Sequence, residues 1–375
     1  MSFKEALQRN LMLLPGWLTR RKIVVIESDD WGAIRTPDKN TLSALNGINP
    51  LVEKDLMTQL DALESNEDMT ALFEVLRSVN DKNNRPAILT ANTIVANPDF
   101  EQIAASGYKT YHFERFTETL KKQAGSDRVF NLIRQGISEK LYRPQLHGRE
   151  HLNVQQWLCA LQNGNAELLE AFRYSTFGIP LSGKISKRNN LMSAFDYESE
   201  KEVIGLEKII EEGAHLFRDI FGFTSTSFIA TTYVWHSSLE PALYKHGIKY
   251  IQGIPYQYIP SPGKDWYEKK FHYTGQKNQF GQIYLVRNAS FEPFMQKNTD
   301  VVGECLQRIN LAFRWGKPVI IGSHRVNFIG SLDESNRTRN LKLLKQLLTE
   351  IVKRWPDVEF MSSDELGELI LQSKK

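Results

Sequence analysis

Ile23-Val24-Val25-Ile26-Glu27-Ser28-Asp29-Asp30 joins four consecutive apolar residues, all β-branched, to a polar cluster that ends in two adjacent carboxylates. A short β-branched run without polar interruption is the mark of a strand buried on both faces, as in a parallel sheet. Similar runs recur at 87–89, 226–229, 248–251, 319–321 and 358–360. Between them lie apolar residues at helical spacing: Leu72, Val75, Leu76 and Val79; Val203, Leu206, Ile209, Ile210 and Leu216; Leu341, Leu344, Leu347, Leu348 and Ile351. Strand and helix therefore alternate. That order implies β-α units closed into a barrel or wound into an open sheet, and in both the functional groups collect at the C-terminal ends of the strands.

The length of 375 residues suits one elaborated α/β domain spanning 1–375. Two segments break the alternation. Residues 175–198 carry Gly178, Pro180, Gly183 and Asn189-Asn190, and residues 252–290 carry three prolines with Tyr256, Tyr258, Trp266, Tyr267, Phe271 and Tyr273. Both are expected to be irregular insertions over the site. Hydrophobic residues make up 41% and charged residues 24%, enough of the first to build a full core. A net charge of +3, with both signs interspersed, gives no footprint for nucleic acid. Cys159 and Cys305 make no disulfide framework or Cys-x-x-Cys pair, which favours a reducing compartment. The apolar stretch at 11–18 is broken by Pro15 and Gly16, and no segment approaches the roughly 18 to 20 apolar residues of a membrane span. A cytoplasmic protein without membrane insertion is expected.

Adjacent carboxylates after a buried strand are costly unless solvated, hydrogen-bonded or bound to a cation. Taken alone, Asp29-Asp30 equally suits a turn or a helix N-cap. Partners appear at Gln145-Leu146-His147-Gly148-Arg149-Glu150-His151, where two histidines stand four apart and would share one face of a helical turn. Two imidazoles and one carboxylate leave coordination positions open, the pattern of a catalytic metal site. A divalent metal there would activate water and polarise a carbonyl, so amide or ester hydrolysis is the natural chemistry. Zinc is the first choice for mixed nitrogen and oxygen ligands, with manganese, iron, cobalt or nickel as alternatives. Val319-Ile320-Ile321-Gly322-Ser323-His324-Arg325 delivers a histidine to the end of another strand, placed to act as a general acid.

These residues together resemble the polysaccharide deacetylases, carbohydrate esterase family four, over nearly the whole chain. The resemblance implies a distorted (β/α) barrel of the glycoside hydrolase/deacetylase type with a divalent metal. It implies Asp29 as general base, Asp30, His147 and His151 as metal ligands, and His324 as the acid that protonates the leaving group. It also implies a carbohydrate or glycoconjugate substrate that loses an N- or O-acetyl group.

The sequence departs from the family in four places. Trp31 precedes Gly32 where the family has Gly directly after its Asp pair, and Gly322 stands two before His324 where Leu is usual. The acidic fourth motif has only Asp265-Trp266 as a faint counterpart. The strand followed by Ala230-Thr231-Thr232-Tyr233-Val234-Trp235 lacks the arginine that orients the base, for which Arg149 and Arg325 are candidate replacements. Trp31, Tyr233 and Trp235 are candidates for stacking on sugar rings, with Arg149 and Arg325 as further substrate contacts. Two rival readings stay open: hydrolysis of another amide or a glycosidic bond on a related barrel, and a non-catalytic carbohydrate-binding protein, which the missing arginine favours.

Overall fold

The structure, a computed structural model, describes residues 10–296 and 299–373. Among them is a nine-stranded, all-parallel sheet. Its strands are β1 (Lys22–Trp31), β2 (Leu89–Ile94), β3 (Tyr142–Gly148), β4 (Ser227–Ile229), β5 (Tyr250–Gly253), β6 (Ile283–Val286), β7 (Ala289–Ser290), β8 (Val319–His324) and β9 (Val358–Met361). The spatial order is β6-β5-β4-β3-β2-β1-β8-β7, with β9 paired to the first half of β1.

The two ends of that order are consecutive in the chain. β6 pairs with β5 and β7 pairs with β8, and only Arg287-Asn288 separates them. The Arg287 N–H donates to Gly253 O on one side (2.8 Å) while the Asn288 N–H donates to Ile320 O on the other (3.1 Å). One extended segment thus bridges both edges and closes the sheet into a distorted (β/α) barrel.

Alternation along β1 sorts its side chains between two layers. Ile23 and Val25 join Leu285, Ile320, Leu366 and Ile370 in the cluster that fills one end of the barrel, the last two from helix Ser363–Gln372. Val24 and Ile26 face outward to the main helical layer, which includes the helices Asn66–Arg77, Val129–Ser138, Val301–Arg314 and Glu334–Arg354. The first begins with a capping box of Ser65 and Asp68, which satisfies its first free N–H groups.

Residues 174–199 contain no helix or strand, as expected. The segment 252–290 is not irregular: it holds an antiparallel hairpin, Tyr256–Ile259 with Glu268–Phe271, and then β6 and β7. The histidine pair is not helical either. His147 belongs to β3, and the next helix starts only at Val154. Gly148, at φ 125°, turns the chain so that His151 returns toward the same point. No described helix is long and apolar enough to cross a membrane.

Candidate metal and hydrolytic site

In a regular strand Asp29 and Asp30 would point to opposite faces. Here β1 carries a bulge: Ser28 pairs with Ala91 but Trp31 with Thr93, so three steps on β1 match two on β2. Asp30 takes up the extra step at φ 74°, a region costly for a residue with a side chain. Both carboxylates consequently line one cavity of about 700 Å³. β3 is irregular at the same level, with Leu146 opposite Thr93 and Gly148 opposite Ile94, and the extra residue is His147. Thr232 (φ 54°) and Tyr233 (φ 61°) line the same cavity in the same strained region.

His147 Nε2 lies 3.3 Å and His151 Nε2 3.2 Å from the same oxygen, Oδ1 of Asp30. Ligand atoms of all three side chains fall within 4.8 Å of one another, and all three are buried. His147 Nδ1 is 3.0 Å from Ile229 O. A carbonyl only accepts, so Nδ1 carries the proton and a neutral ring turns the lone pair of Nε2 toward a carboxylate. That arrangement is repulsive without a cation or proton between them. Burial lowers the His151 pKa, outweighing the pull of Asp30, and so favours the neutral ligand form. Burial would raise the Asp30 pKa, but the two imidazoles and Arg35 hold it well below the ordinary carboxylate value. The three residues therefore fit a divalent metal with open positions.

Asp29 is clamped beside them. Arg287 donates from Nη1 to Oδ2 (2.8 Å) and from Nη2 to Oδ1 (2.6 Å), and Asn92 Nδ2 donates to Oδ1 (2.7 Å). The other side of the same guanidinium donates from Nε to Glu27 Oε2 (2.6 Å), and Nη1 also reaches the Tyr233 hydroxyl (3.0 Å). Burial would raise the Asp29 pKa, but Arg287, with His147 and His324, brings it down to about 2.

Register places His324 directly opposite Asp29. Its Nε2 is 3.9 Å from Asp29 Oδ2, and its Nδ1 is 2.6 Å from Glu292 Oε1. Burial opposes its protonation, but Glu292 outweighs that and raises the pKa to about 10.

The guanidinium that grips Asp29 comes from Arg287, not from Arg149 or Arg325. Arg149 sits between Glu150 and Glu212, outside the cavity lining. Arg325 is fully buried, donating to Asp61, Glu64 and the Ala33 carbonyl, and it braces the chain leaving β1. Two departures from the resembled family are one feature. A Cβ on Gly322 would stand 2.7 Å from Cδ of Arg287, so glycine there makes the space in which the arginine crosses to Asp29.

Of the expected stacking residues, only Tyr233 lines the cavity. Beyond the bulge Trp31 falls on the helical side, 1% exposed, edge-on to Tyr142 at 5.4 Å. Trp235 is buried against His272. The aromatic residues of segment 252–290 do not line this cavity, although its Arg287 holds Asp29; others of the segment help line a second cavity of about 450 Å³, between the barrel seam and residues 12–17. Residues of the 175–198 loop do line the Asp30 cavity, from Gly178 to Leu181 and from Asn189 to Met192. Sequence reasoning missed Arg287, Glu292 and Asn92. An arginine one residue after a buried strand was the available signal for the first.

No protein-family model matches the chain, and no curated protein does. Solved structures do. A provisionally named glycoside hydrolase/deacetylase from Parabacteroides distasonis is similar at TM-score 0.50 and 10% identity, over 96% of this chain and 73% of that one. A provisionally named polysaccharide deacetylase from Mycobacterium smegmatis gives TM-score 0.49 and 11% identity, over 96% of this chain and 94% of that one. A family-four pseudoenzyme from Bacillus anthracis gives 0.37 and 8%, over 92% and 65%. At 10% identity the likeness to the Parabacteroides structure bears on the fold alone and agrees with a distorted (β/α) barrel.

Proposed function

We propose that this protein is a metal-dependent hydrolase that removes N- or O-acyl groups, acetyl in the simplest case, from a carbohydrate or glycoconjugate. The observation that carries the reading is the convergence of His147 and His151 on Asp30, with Asp29 and His324 held beside them by partners of opposite charge. A divalent cation on the three ligands, zinc by first choice, supplies Lewis acidity toward an acyl carbonyl.

The chain's own groups supply the rest. Asp29 has both oxygens engaged by donors, yet a carboxylate offers about four lone-pair sites and three are used. The remaining capacity accepts a proton from the attacking water as its oxygen bonds to the acyl carbon. Arg287 fixes the carboxylate plane. His324, kept protonated by Glu292, gives its proton to the departing nitrogen or oxygen as the bond to the acyl carbon breaks. The strongest argument for a non-catalytic binding protein was a missing orienting arginine, and Arg287 removes it.

The test is elemental analysis of protein purified without chelators, with His151→Ala alongside, followed by an acetate-release screen on acetylated sugars. About one equivalent of metal, lost in the variant, and turnover abolished by Asp29→Asn with the metal retained are the expected results. A parent that takes up no metal even on reconstitution overturns the mechanism.

A further inference from the structure

The lining of the Asp30 cavity is mixed, with polar residues such as Lys54, Asp55 and Asn190 beside a larger apolar share. The catalytic groups Asp29, Asp30, His147 and His151 are buried, while much of what surrounds them is aliphatic. Leu56, Met57, Phe294 and Met295 come from one side of the fold, and Met57 and Phe294 belong to one small hydrophobic cluster. Ile179 and Leu181 belong to a different cluster, built on the irregular loop. Leu56 is 38% and Met295 63% exposed. Apolar side chains that cost solvation at the mouth of a functional cavity mark contact with an apolar partner, and thioethers adapt to flexible chains. A sugar-binding cleft would instead offer aromatic faces. The two tryptophans nearest the site in sequence are buried away from it, which leaves Tyr233 and Phe294 as the aromatic lining.

We infer that the substrate carries an aliphatic chain, longer than acetyl, that lies against this apolar lining. The chain belongs either to the acyl group removed or to an alkyl group on the part that remains. The inference rests on the hydrolase reading for its chemistry but on the lining alone for its binding. A cavity of about 700 Å³ falls in the range that encloses a whole drug-sized ligand, far more than an acetyl group needs.

The test is titration calorimetry on metal-free and metal-loaded protein, with every ligand below its micelle concentration. One arm runs acetate, butyrate, octanoate and decanoate; the other runs methyl, butyl, octyl and decyl glucoside. Affinity is expected to rise by up to about fourfold per methylene until the cavity is filled, at one-to-one stoichiometry and with a negative heat-capacity change. A rise in the fatty-acid arm assigns the chain to the acyl group, and a rise in the glucoside arm assigns it to the remainder. Leu56→Asn with Met295→Gln changes exposed positions without adding charge and should fold; it is expected to weaken decyl ligands about tenfold relative to acetate or methyl glucoside, flattening the rise of affinity with chain length. Affinity that is flat with chain length in both arms, or a rise that the double variant leaves intact, overturns the inference. Failure to bind metal would overturn the hydrolase reading and leave the metal-free titrations to decide this one.

Discussion

Arg287 joins Glu27 and Asp29 across the barrel interior, with Nε on the first carboxylate and two donors on the second. Glu27 and Asp29 are two apart on β1 and so share its inner face, while Arg287 stands at the seam where the sheet closes. The residue that completes the barrel is thereby the one that sets the carboxylate plane. Arg287→Lys is predicted to keep the metal but lower kcat on the order of 100-fold, because a single ammonium cannot reproduce the bidentate contact. Arg287→Ala leaves two buried carboxylates without their partner and should cost roughly 3 to 5 kcal/mol of stability. Metal content, kcat and thermal melts of both variants check this; a lysine variant with full activity would show that the clamp is dispensable.

Gly322 is predicted to be needed for the same contact. A methyl group there meets the Arg287 side chain at 2.7 Å, so Gly322→Ala must displace it at about 1 to 3 kcal/mol of strain. Gly322→Leu should remove activity. The check is turnover against melting temperature: activity should fall in both variants even where the fold survives.

Glu292 is predicted to set the alkaline limit of activity. A general acid works only while protonated, so turnover should fall as pH rises through the His324 pKa, which Glu292 raises to about 10. Glu292→Gln removes the charge that outweighs burial, and the alkaline limb of kcat against pH should move to lower pH. An unshifted limb would assign it to another group.

His272 should make stability depend on pH away from the site. Its ring is buried between the amide oxygens of Gln257 (2.9 Å) and Gln276 (3.0 Å) and stacked on Tyr284. Burial, the largest influence, pushes its pKa down from 6.5 to about 4. Between those values the unfolded chain binds a proton that the folded chain does not, so stability rises with pH there. The contribution is complete above about pH 6.5 and is lost as pH falls toward 4. Melting temperatures from pH 7.5 to 4.5 for the parent and His272→Gln measure it: the parent should lose more over this window, and parallel curves would show that His272 does not titrate there.

Much of the site's chemistry was legible in the chain itself. Four β-branched residues before Asp29-Asp30, two histidines four apart and a third at a later strand end are local patterns, and they name the side chains that converge. The misreadings also have local causes. Trp31 was expected to stack on substrate, but it follows a bulge that no periodicity announces and falls on the helical side. The histidine spacing suggested a helical turn, whereas a strand bent at Gly148 brings the rings together equally well. The segment 252–290 looked irregular because β6 and β7 are short and divided by two polar residues.

The sequence by itself determined the element alternation, a parallel α/β sheet and the identity of the candidate ligands, because such a sheet writes its buried strands as continuous apolar runs and its working residues at their ends; the choice of a closed barrel over an open sheet rested on the family resemblance. Tertiary structure alone decided which partners tune those residues. Arg287 lies 258 positions from Asp29 and Glu292 lies 32 from His324, and neither distance leaves a periodic trace. Only closure of the sheet brings the seam against β1, and only a glycine at 322 leaves the arginine room to cross.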